Sequence, residues 1–342
     1  KSISITKPPR LDYVVTFPVN PYSFNPRGLE RHVHKNIGEG KNGGIIKWEI
    51  LGAGITVFEW NEDFTSTSNQ ELDRNLKTFK KYKNLLKELT AKNVKLKYRN
   101  SWLGILWSFI QPLLQMIVLS VVFGGIFGRS NKHVICFPVY LFTGRLLFSF
   151  FTSSTKQAMT SFRRNAGIIK KVYVPKYMYP LSSIFSNFVT FAISILCLIC
   201  VWIFFKLTGI SGGSNLHITP YVFVCVVPMF LLLVFCTGVG LILSVIGVYF
   251  RDVEYIWDVL TQLLFYMVPI VYPFTRITGH WTRLIIKINP LYSMIEMFRQ
   301  CVLYGYMISY KLLLYATVVS FLTLAIGVWI FNKKSDDIVF HL

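Results

Sequence analysis

The sequence predicts an all-α membrane protein with six transmembrane helices, an N-terminal amphipathic interfacial helix and a re-entrant or interfacial helix between spans five and six. The 342 residues are 53% hydrophobic and only 15% charged, whereas soluble domains carry about 25% charged residues. Apolar runs of about 20 residues, the length that crosses a bilayer as a helix, recur along the chain. They lack the alternating pattern of barrel strands, so helices are the structure that can satisfy the backbone in lipid.

Residues 1–70 are polar and irregular, and they predict a small cytosolic extension whose role the sequence does not define. Prolines and glycines interrupt this part of the chain. The segment from Ile45 to Trp60 has room for one or two strands around a glycine-containing turn. It holds too little apolar material to predict an independent domain.

Residues 71–101 predict a cytoplasmic amphipathic helix. Its apolar residues recur at steps of three or four, and lysines crowd around them. The apolar face would rest at the acyl boundary while the lysines meet anionic headgroups. A solvated helix packed on another protein is the alternative. The apolar positions are Leu72, Leu76, Phe79, Tyr82, Leu86 and Leu89.

The segment 102–331 predicts a six-helix transmembrane domain, followed by a cytoplasmic tail at 332–342. The spans are expected near 103–127, 134–159, 179–206, 220–249, 256–274 and 311–331. Lysine and arginine are in excess on one set of loops, which favours cytoplasmic N- and C-termini. No signal peptide is expected, because the first long apolar run starts only near Leu103.

A second, shorter helix is predicted in the long segment between spans five and six. Asn289 and Pro290 open it and Gly305 closes it, as expected of helix ends. The helix is too short to cross a bilayer, so a re-entrant or interfacial position on the outer side is expected.

The motifs exclude several kinds of chemistry. No G-x-x-x-x-G-K-[ST] motif is present, so the chain is not expected to bind ATP through a P-loop. Cys197 and Cys200 lie in an apolar run and are expected to be buried rather than redox-active or metal-bound. Arg145 is the one charged residue expected deep in a span, near the outer end of span two, where it would snorkel. No catalytic and no metal-binding residues are predicted.

The net charge of +20 comes from bases beside the apolar runs. Because these bases flank spans, membrane orientation and anionic lipids explain them better than nucleic acid. Nucleic acid is therefore not expected as a partner.

Five separated motifs resemble those of the ABC-2 type permeases, in order and with sensible spacing. The subgroup most similar exports lipid-linked polysaccharides such as O-antigen, capsule, rhamnan or teichoic acid. The resemblance runs from about Leu72 to Leu342 and leaves residues 1–70 unexplained. The motifs are Tyr98–Pro112, Ile168–Lys176, Tyr249–Asp252, Phe265–Ile270 and Ile288–Leu291.

The resemblance implies a homodimer in a bacterial inner or plasma membrane, paired with a separate ABC ATPase. ATP and Mg would bind that partner, and no cofactor would bind this chain. Spans one and five would pack across the dimer and form a lateral access route. Coupling to the ATPase is implied for the cytoplasmic loop 163–171 and the turn before span five. The residues concerned are Arg163, Arg164, Asn165, Ile168, Ile169, Lys170, Lys171, Arg251 and Asp252.

A lipid-linked sugar carries a diphosphate, which needs cations at the inner interface. Lys95, Lys97 and Arg99 stand just before span one and are candidates, with topology-setting anchors as the alternative. Aromatic side chains suit sugar rings, although packing or interfacial-belt roles account for many aromatics in spans. The candidates for lining the channel are Trp107, Phe148, Phe265, Tyr266 and Tyr292.

The predicted function is therefore the permease subunit of an exporter for a lipid-linked cell-surface polysaccharide, and not an enzyme. An ABC-2 exporter of drugs or lipids is one alternative. A membrane enzyme or scaffold of glycan assembly is another, and the lack of intramembrane acids and bases argues against it.

Overall fold

The chain folds as two units, Lys1–Lys83 and Asn84–Leu342, in a computed structural model. The structure describes residues 14–18, 43–51, 54–61, 82–99, 101–124, 134–171, 174–216 and 219–334. The predicted domain boundaries after residues 70, 101 and 331 stay predictions. The first part of the predicted amphipathic helix, 71–81, and the tail after 334 lie outside the described residues.

In the first unit, the described residues form a three-stranded antiparallel sheet. The strands are β1 (Val14–Pro18), β2 (Gly43–Leu51) and β3 (Gly54–Asn61), in the order β1-β3-β2. β-Branched and aromatic residues dominate β3, as a pleated strand favours. The strands expected between residues 45 and 60 are confirmed, and β1 is an addition to them. The all-α class therefore describes the second unit.

The described regular structure of the second unit is helical. Helix α1 covers residues 82–98. The helices after it are α2 (Trp107–Phe123), α3 (Phe137–Met159), α4 (Ser161–Ile169), α5 (Met178–Thr208), α6 (Val226–Tyr249), α7 (Val253–Met267), α8 (His280–Ile288), α9 (Pro290–Arg299) and α10 (Tyr310–Lys334). Short 3-10 turns, Gly104–Leu106 and Pro220–Cys225, precede α2 and α6.

The side chains of α1 divide by polarity. Leu86 and Leu89 are half-buried, whereas Lys87 and Lys92 are exposed. Asn93 Nδ2 donates a hydrogen bond of 3.3 Å to Ser182 Oγ in α5, so this helix contacts the start of a long apolar helix. The burial follows the apolar periodicity of the sequence.

Four helices among the described residues are long and apolar enough to cross a membrane. They are Gly104–Phe123, Met178–Thr208, Pro220–Tyr249 and Tyr310–Lys334, and they correspond to predicted spans one, three, four and six. Helices α3 and α7, the predicted spans two and five, are not among them. The six-span count thus goes beyond what length and composition establish for the described residues.

The reasons differ for the two remaining helices. Helix α3 is buried along nearly its whole length by α2, α5, α6 and α9, so it can carry polar side chains without facing lipid. Helix α7 has only 15 residues and ends at Met267, short of the predicted end at 274. Pro269 disfavours helical backbone in the residue before it and lacks a backbone N–H, which explains the early end.

Helices α6 and α10 approach each other at two glycines. A Cβ on Gly238 would lie 2.6 Å from the backbone nitrogen of Leu324, and a Cβ on Gly327 would lie 2.5 Å from the carbonyl oxygen of Gly238. Because real side chains do not fit at such distances, the two backbones are in direct contact. This is the close packing that small residues permit between membrane helices.

The chain between α7 and α10 forms two short helices joined at Asn289. The Asn289 side chain accepts a hydrogen bond from Leu291 N and caps α9, and Pro290 occupies its first turn. A π-helical turn, Gln300–Tyr304, extends α9 to Gly305, whose φ of 66° closes it. The predicted short helix from Asn289 to Gly305 is confirmed.

Candidate functional site

Helix α4 is a short amphipathic helix that follows α3 after Thr160. Its apolar side is anchored by Phe162, which is fully buried. The Phe162 ring stacks on Phe331 of α10, with centroids 6.2 Å apart, and lies 6.3 Å from the ring of Tyr179 in α5. This aromatic cluster fixes α4 against the longer helices.

The other side of α4 is basic and contacts α7. Arg163 forms an ion pair with Glu254 in the first turn of α7. Both side chains are about one-third exposed (33% and 31%), and such partly exposed pairs contribute about 0–1 kcal/mol to stability. The importance of this pair is therefore geometric, because it joins α4 to α7.

Hydrogen bonds within α4 and to Thr160 hold the next side chains of this helix. Arg164 donates to Thr160 Oγ1, and Asn165 Nδ2 donates to Ser161 O at 2.8 Å. Partial desolvation lowers the pKa of Arg164; attraction to Glu254 opposes this shift, and repulsion from Arg163 adds to it. An arginine keeps its charge under such shifts, so α4 presents cations whatever the pH of the cell.

The remaining predicted coupling residues lie beside this pair. Ile168 and Ile169 are half-buried near the end of α4, whereas Lys170 is exposed just after it. Arg251 and Asp252 form an exposed turn before α7, where the Asp252 carbonyl accepts from the next helical turn. The nine predicted residues thus fall on two segments that the Arg163–Glu254 pair connects.

An open groove of about 520 Å³ lies between α3 and α7, here called the α3–α7 groove. An ion pair between Lys156 and Asp258, 2.6 Å long, lies at one part of its wall. Trp257 Nε1 donates to Thr155 Oγ1 at 3.2 Å and further ties the two helices together. Aromatic rings also line the groove, namely Phe148, Trp257, Phe265 and Tyr266.

The polar residues of this groove repeat at helical spacing. On α3 they fall at intervals that keep one helix face, and on α7 a matching set faces them. The α3 set is Arg145, Thr152, Ser153 and Lys156, and the α7 set is Asp258, Thr261 and Gln262. The α3 stripe carries two basic residues and the α7 stripe carries an acidic residue, so the two are electrostatically complementary.

A second groove of about 240 Å³ runs along the other side of α3, between α2 and α5, here called the α2–α5 groove. Amides and hydroxyls dominate its lining, and Gln157 Nε2 bonds Asn187 Oδ1 at 3.1 Å. Lys97, in α1, also lines it, and burial lowers the pKa of this amine. The α2–α5 groove therefore offers many hydrogen-bonding groups.

Arg145 lines both grooves. Its Nε donates to Gln115 Oε1 of α2 at 3.3 Å, and its guanidinium lies 5.1 Å from the centre of the Phe265 ring. No carboxylate of the described residues forms an ion pair with it. The expectation that Arg145 snorkels away is replaced by an arginine that points between helices, because α2 and α7 supply an amide and a ring there.

Arg299, at the end of α9, is the largest fully buried side chain among the described residues. It donates to Pro269 O at 2.8 Å, Tyr140 O at 3.1 Å and Ile270 O at 3.3 Å, and its guanidinium stacks 3.6 Å from the Tyr140 ring centre. Two of these carbonyls lie where the chain leaves α7. Arg299 therefore replaces the helical hydrogen bonds that this break removes.

Residues 84–303 match the ABC-2 type transporter family. The chain belongs to this family of membrane transporters. The matched residues include most of α1 and all of α2 to α9. They therefore include both grooves, the Arg163–Glu254 pair and Arg299. Among the described residues of this transporter, no group of His, Cys, Asp and Glu could hold a metal ion.

Curated relatives sharpen the family match. The ABC-2 chain is 32% identical to the O-antigen export system permease protein RfbA of Klebsiella pneumoniae over 253 residues, which cover 73% of this chain and 91% of that protein. It is 27% identical to the protein of that name from Myxococcus xanthus, over 64% of this chain and 80% of the relative. It is 25% identical to the polysialic acid transport protein KpsM of Escherichia coli, over 75% and 96%.

The structure brings some predicted substrate residues of this transporter together and separates others. Phe148, Phe265 and Tyr266 line the α3–α7 groove. Trp107 stands at the start of α2, 41% exposed, and does not line either groove. Tyr292 is buried in α9, with its ring 5.2 Å from that of Phe274, also away from both grooves.

The predicted access residues lie around the end of α1. All three side chains are exposed, and Lys97 also lines the α2–α5 groove. Lys97 and Arg99 also border a shallow depression with Leu96 and Ser101. The roles of these residues in binding stay predictions.

Three residues of the site were missed from the sequence: Lys156, Glu254 and Asp258 lie in or beside the α3–α7 groove, whereas Arg145 was singled out but expected to snorkel. The signal that could have found them is the polar stripe at helical spacing within each apolar helix. Arg299 was not singled out from the sequence, because its burial depends on contacts with two distant segments, at Tyr140 and at Pro269–Ile270.

Proposed function

We propose that this protein is the permease subunit of an ABC exporter that moves a lipid-linked cell-surface polysaccharide outward. Relatives named for O-antigen export and polysialic acid transport align over most of their length with this chain, which supports the proposal. A separate ATPase would bind ATP and Mg and hydrolyse the nucleotide. This chain would supply the path through the membrane.

The observation that carries the proposal is the mixed lining of the α3–α7 groove. Hydroxyl and amide groups of Thr152, Thr261 and Gln262 can bond sugar hydroxyls, and the rings of Phe265 and Tyr266 can pack on sugar faces. Pockets for small hydrophobic compounds are instead mostly apolar, with a few placed polar groups. The groove is therefore better suited to a glycan than to a drug.

The proposed topology has six crossings, with N- and C-termini in the cytoplasm of a bacterium. Helices α3 and α7 would join the four apolar helices as crossings two and five. Their polar stripes face protein and the groove, which relieves the requirement that each crossing be apolar on all sides. Helix α1 would lie at the inner interface, and α8 and α9 would lie at the outer side.

We propose a homodimer that buries the exposed sides of α2 and α7. Large apolar side chains stand out from both helices, including Val121 (76% exposed) and Leu263 (56% exposed). Contiguous exposed apolar surface has to be covered by lipid or by a second chain. Two-fold pairing of these faces would set two α3–α7 grooves around a shared channel, with lateral access for the lipid between them.

Coupling would pass from the ATPase through α4 into α7. Helix α4 is anchored at Phe162 and linked to α7 by the Arg163–Glu254 pair, so displacement of α4 would pull on one wall of the groove. The exposed residues Arg164, Lys170 and Lys171, with the Arg251–Asp252 turn, would contact the ATPase.

The carrier diphosphate would enter near the end of α1. Lys95, Lys97 and Arg99 supply three cations there, and Lys97 extends into the α2–α5 groove. Cations at this depth also attract anionic lipid, so a general membrane-anchoring role is the alternative for Lys95 and Arg99.

Reconstitution tests the proposal. The full chain and its partner ABC ATPase are placed in liposomes with the lipid-linked glycan of the same bacterium. The glycan is expected to become accessible to an impermeant lectin on the opposite leaflet, only with both proteins and Mg-ATP. A non-hydrolysable ATP analogue is the control. ATP hydrolysis by this chain alone, or export of a hydrophobic dye with no response to glycan, would count against it.

Charge reversal tests the coupling route. Arg163→Glu and Glu254→Arg are each expected to lower glycan-stimulated ATPase activity of the complex, and the double variant is expected to recover it. The Lys170→Glu variant should lower the activity without loss of membrane insertion. If the single reversals retain full activity, the Arg163–Glu254 link does not transmit the movement.

A further inference from the structure

Arg145 is a cation inside the helical unit without an acidic partner among the described residues. Its one hydrogen bond within the described part of the chain is to Gln115, a neutral amide, and its ring contact is to Phe265. The terminal guanidinium nitrogens are therefore free to donate into the grooves that Arg145 lines. An ionisable group within membrane helices is by default a functional candidate, since its charge is expensive to keep there.

The other charged groups that line the α3–α7 groove form an ion pair with each other. Lys156 is paired with Asp258 at 2.6 Å. Arg163 and Glu254, which do not line the groove, are also paired with each other. Among the described residues lining this groove, Arg145 is thus the cation that remains uncompensated.

The surroundings of Arg145 suit an anion with several oxygens. Hydroxyl and amide donors stand on both sides, including Ser149 in the α2–α5 groove, Gln262 in the α3–α7 groove, and Ser153 in both. Lys97 lines the same α2–α5 groove and adds a second cation. The grooves, about 240 and 520 Å³, have room for a group of the size of a diphosphate or an acidic sugar.

We infer that Arg145 is the centre of a binding site for an anionic group of the transported substrate, a phosphate or a carboxylate. The inference rests on the proposed export function and names the charge of the cargo that the groove accepts. Arginine is suited to this role, because its planar fork can bind two oxygens of a phosphate or carboxylate at once. The anion would come either from the carrier diphosphate or from acidic sugars of the chain.

The test measures binding apart from transport. The full chain is placed in nanodiscs of zwitterionic phosphatidylcholine, and isothermal titration calorimetry is run with inorganic pyrophosphate, farnesyl diphosphate, trigalacturonate and the neutral sugar maltotriose. The variants are Arg145→Gln, Arg145→Lys and the matched control Lys311→Gln. Lys311 is an exposed lysine at the start of α10 and lines neither groove.

Arg145→Gln is expected to weaken binding of the anions about tenfold or more, the loss expected for a charge-assisted hydrogen bond. Arg145→Lys should recover part of this loss, which also shows that the site still folds. Lys311→Gln should bind as the unchanged protein does. Dependence on Arg145 for farnesyl diphosphate alone identifies the carrier as the source, and dependence for trigalacturonate alone identifies the glycan.

Equal binding of the anions by Arg145→Gln and the unchanged protein would overturn the site. An equal loss in Lys311→Gln would also overturn it, since that result means only general attraction to a basic protein. Failure of the site leaves the export function intact if ATP-dependent glycan export persists in the liposomes. Failure of export by the unchanged protein would instead remove the proposed function, whatever the calorimetry shows.

Discussion

Two arginines inside the helical unit have opposite surroundings. Arg299 is completely buried and gives its donors to three backbone carbonyls and Thr143, with the Tyr140 ring against its plane. Arg145 makes one hydrogen bond to Gln115 and keeps its terminal nitrogens on the grooves. The same side chain thus serves structure where its donors are satisfied and ligand binding where they are not.

Burial explains why all the hydrogen-bond donors of Arg299 need partners. A guanidinium removed from water is tolerated only when hydrogen bonds satisfy it, and the carbonyls at the end of α7 need donors equally. Arg145 borders an open groove, so its remaining donors need no fixed protein partner. The contrast predicts that replacing these arginines damages different properties.

The largest effect is expected for Arg299→Met. This change removes the donors to Pro269, Tyr140 and Ile270 and leaves their carbonyls buried without partners. A loss of about 3–5 kcal/mol in the free energy of unfolding is expected. Thermal unfolding in detergent and the yield of monodisperse protein measure it. Arg299→Lys should be almost as damaging, since one ammonium does not reproduce the planar fork. Unchanged stability of Arg299→Met would show that Arg299 does not have the structural role assigned to it.

A smaller effect is expected for Gly144→Ala. A Cβ at Gly144 would lie 2.5 Å from Arg299 Nη2 and 3.3 Å from Ile270, so the guanidinium would have to move off its carbonyls. Overpacking of this kind costs about 1–3 kcal/mol. The matched control is Gly124→Ala, where nothing lies within 4 Å of the added Cβ. Equal melting temperatures of the two variants would show that Arg299 adapts without strain.

The smallest effect on stability is expected for Arg145→Gln. It removes one hydrogen bond to a neutral amide and a cation–π contact at 5.1 Å, together about 1 kcal/mol. Because the variant also removes an unpaired charge, the melting temperature should stay within about 4 °C of the unchanged protein. Glycan export in liposomes should nevertheless fall. A melting temperature as low as that of Arg299→Met would assign Arg145 a structural role as well.

The predictable part of the fold is the part that composition alone determines. Helices α5, α6 and α10 are long continuous apolar runs, and their bounds fall close to the predicted spans. The short helix between Asn289 and Gly305 was predictable for a local reason, because a capping side chain, a proline and a positive-φ glycine mark its ends. Such signals act within one segment of sequence.

The site was less predictable, because it depends on which helix faces which. The polar stripe of α3 is visible in the sequence, but its partner stripe on α7 lies more than a hundred residues away. Phe265 was selected for its ring alone, and the structure adds Arg145 beside it. Tyr292 was selected on the same ground, yet its ring is buried against Phe274. Phe265 and Tyr292 are both aromatic, and what separates a groove residue from a packing residue is the tertiary contacts that each one makes.

The contact between Gly238 and Gly327 determines how closely α6 and α10 pack. With hydrogen as the only substituent at both sites, α6 and α10 touch main chain to main chain along that crossing, and no flexible side chains cushion sliding between them. This contact holds the two helices at a short separation. Phe331 lies about one helical turn after Gly327 in α10, and its ring stacks on Phe162 of α4. Helix α4 is therefore packed against this pair of helices on its apolar side and joined to α7 on its basic side.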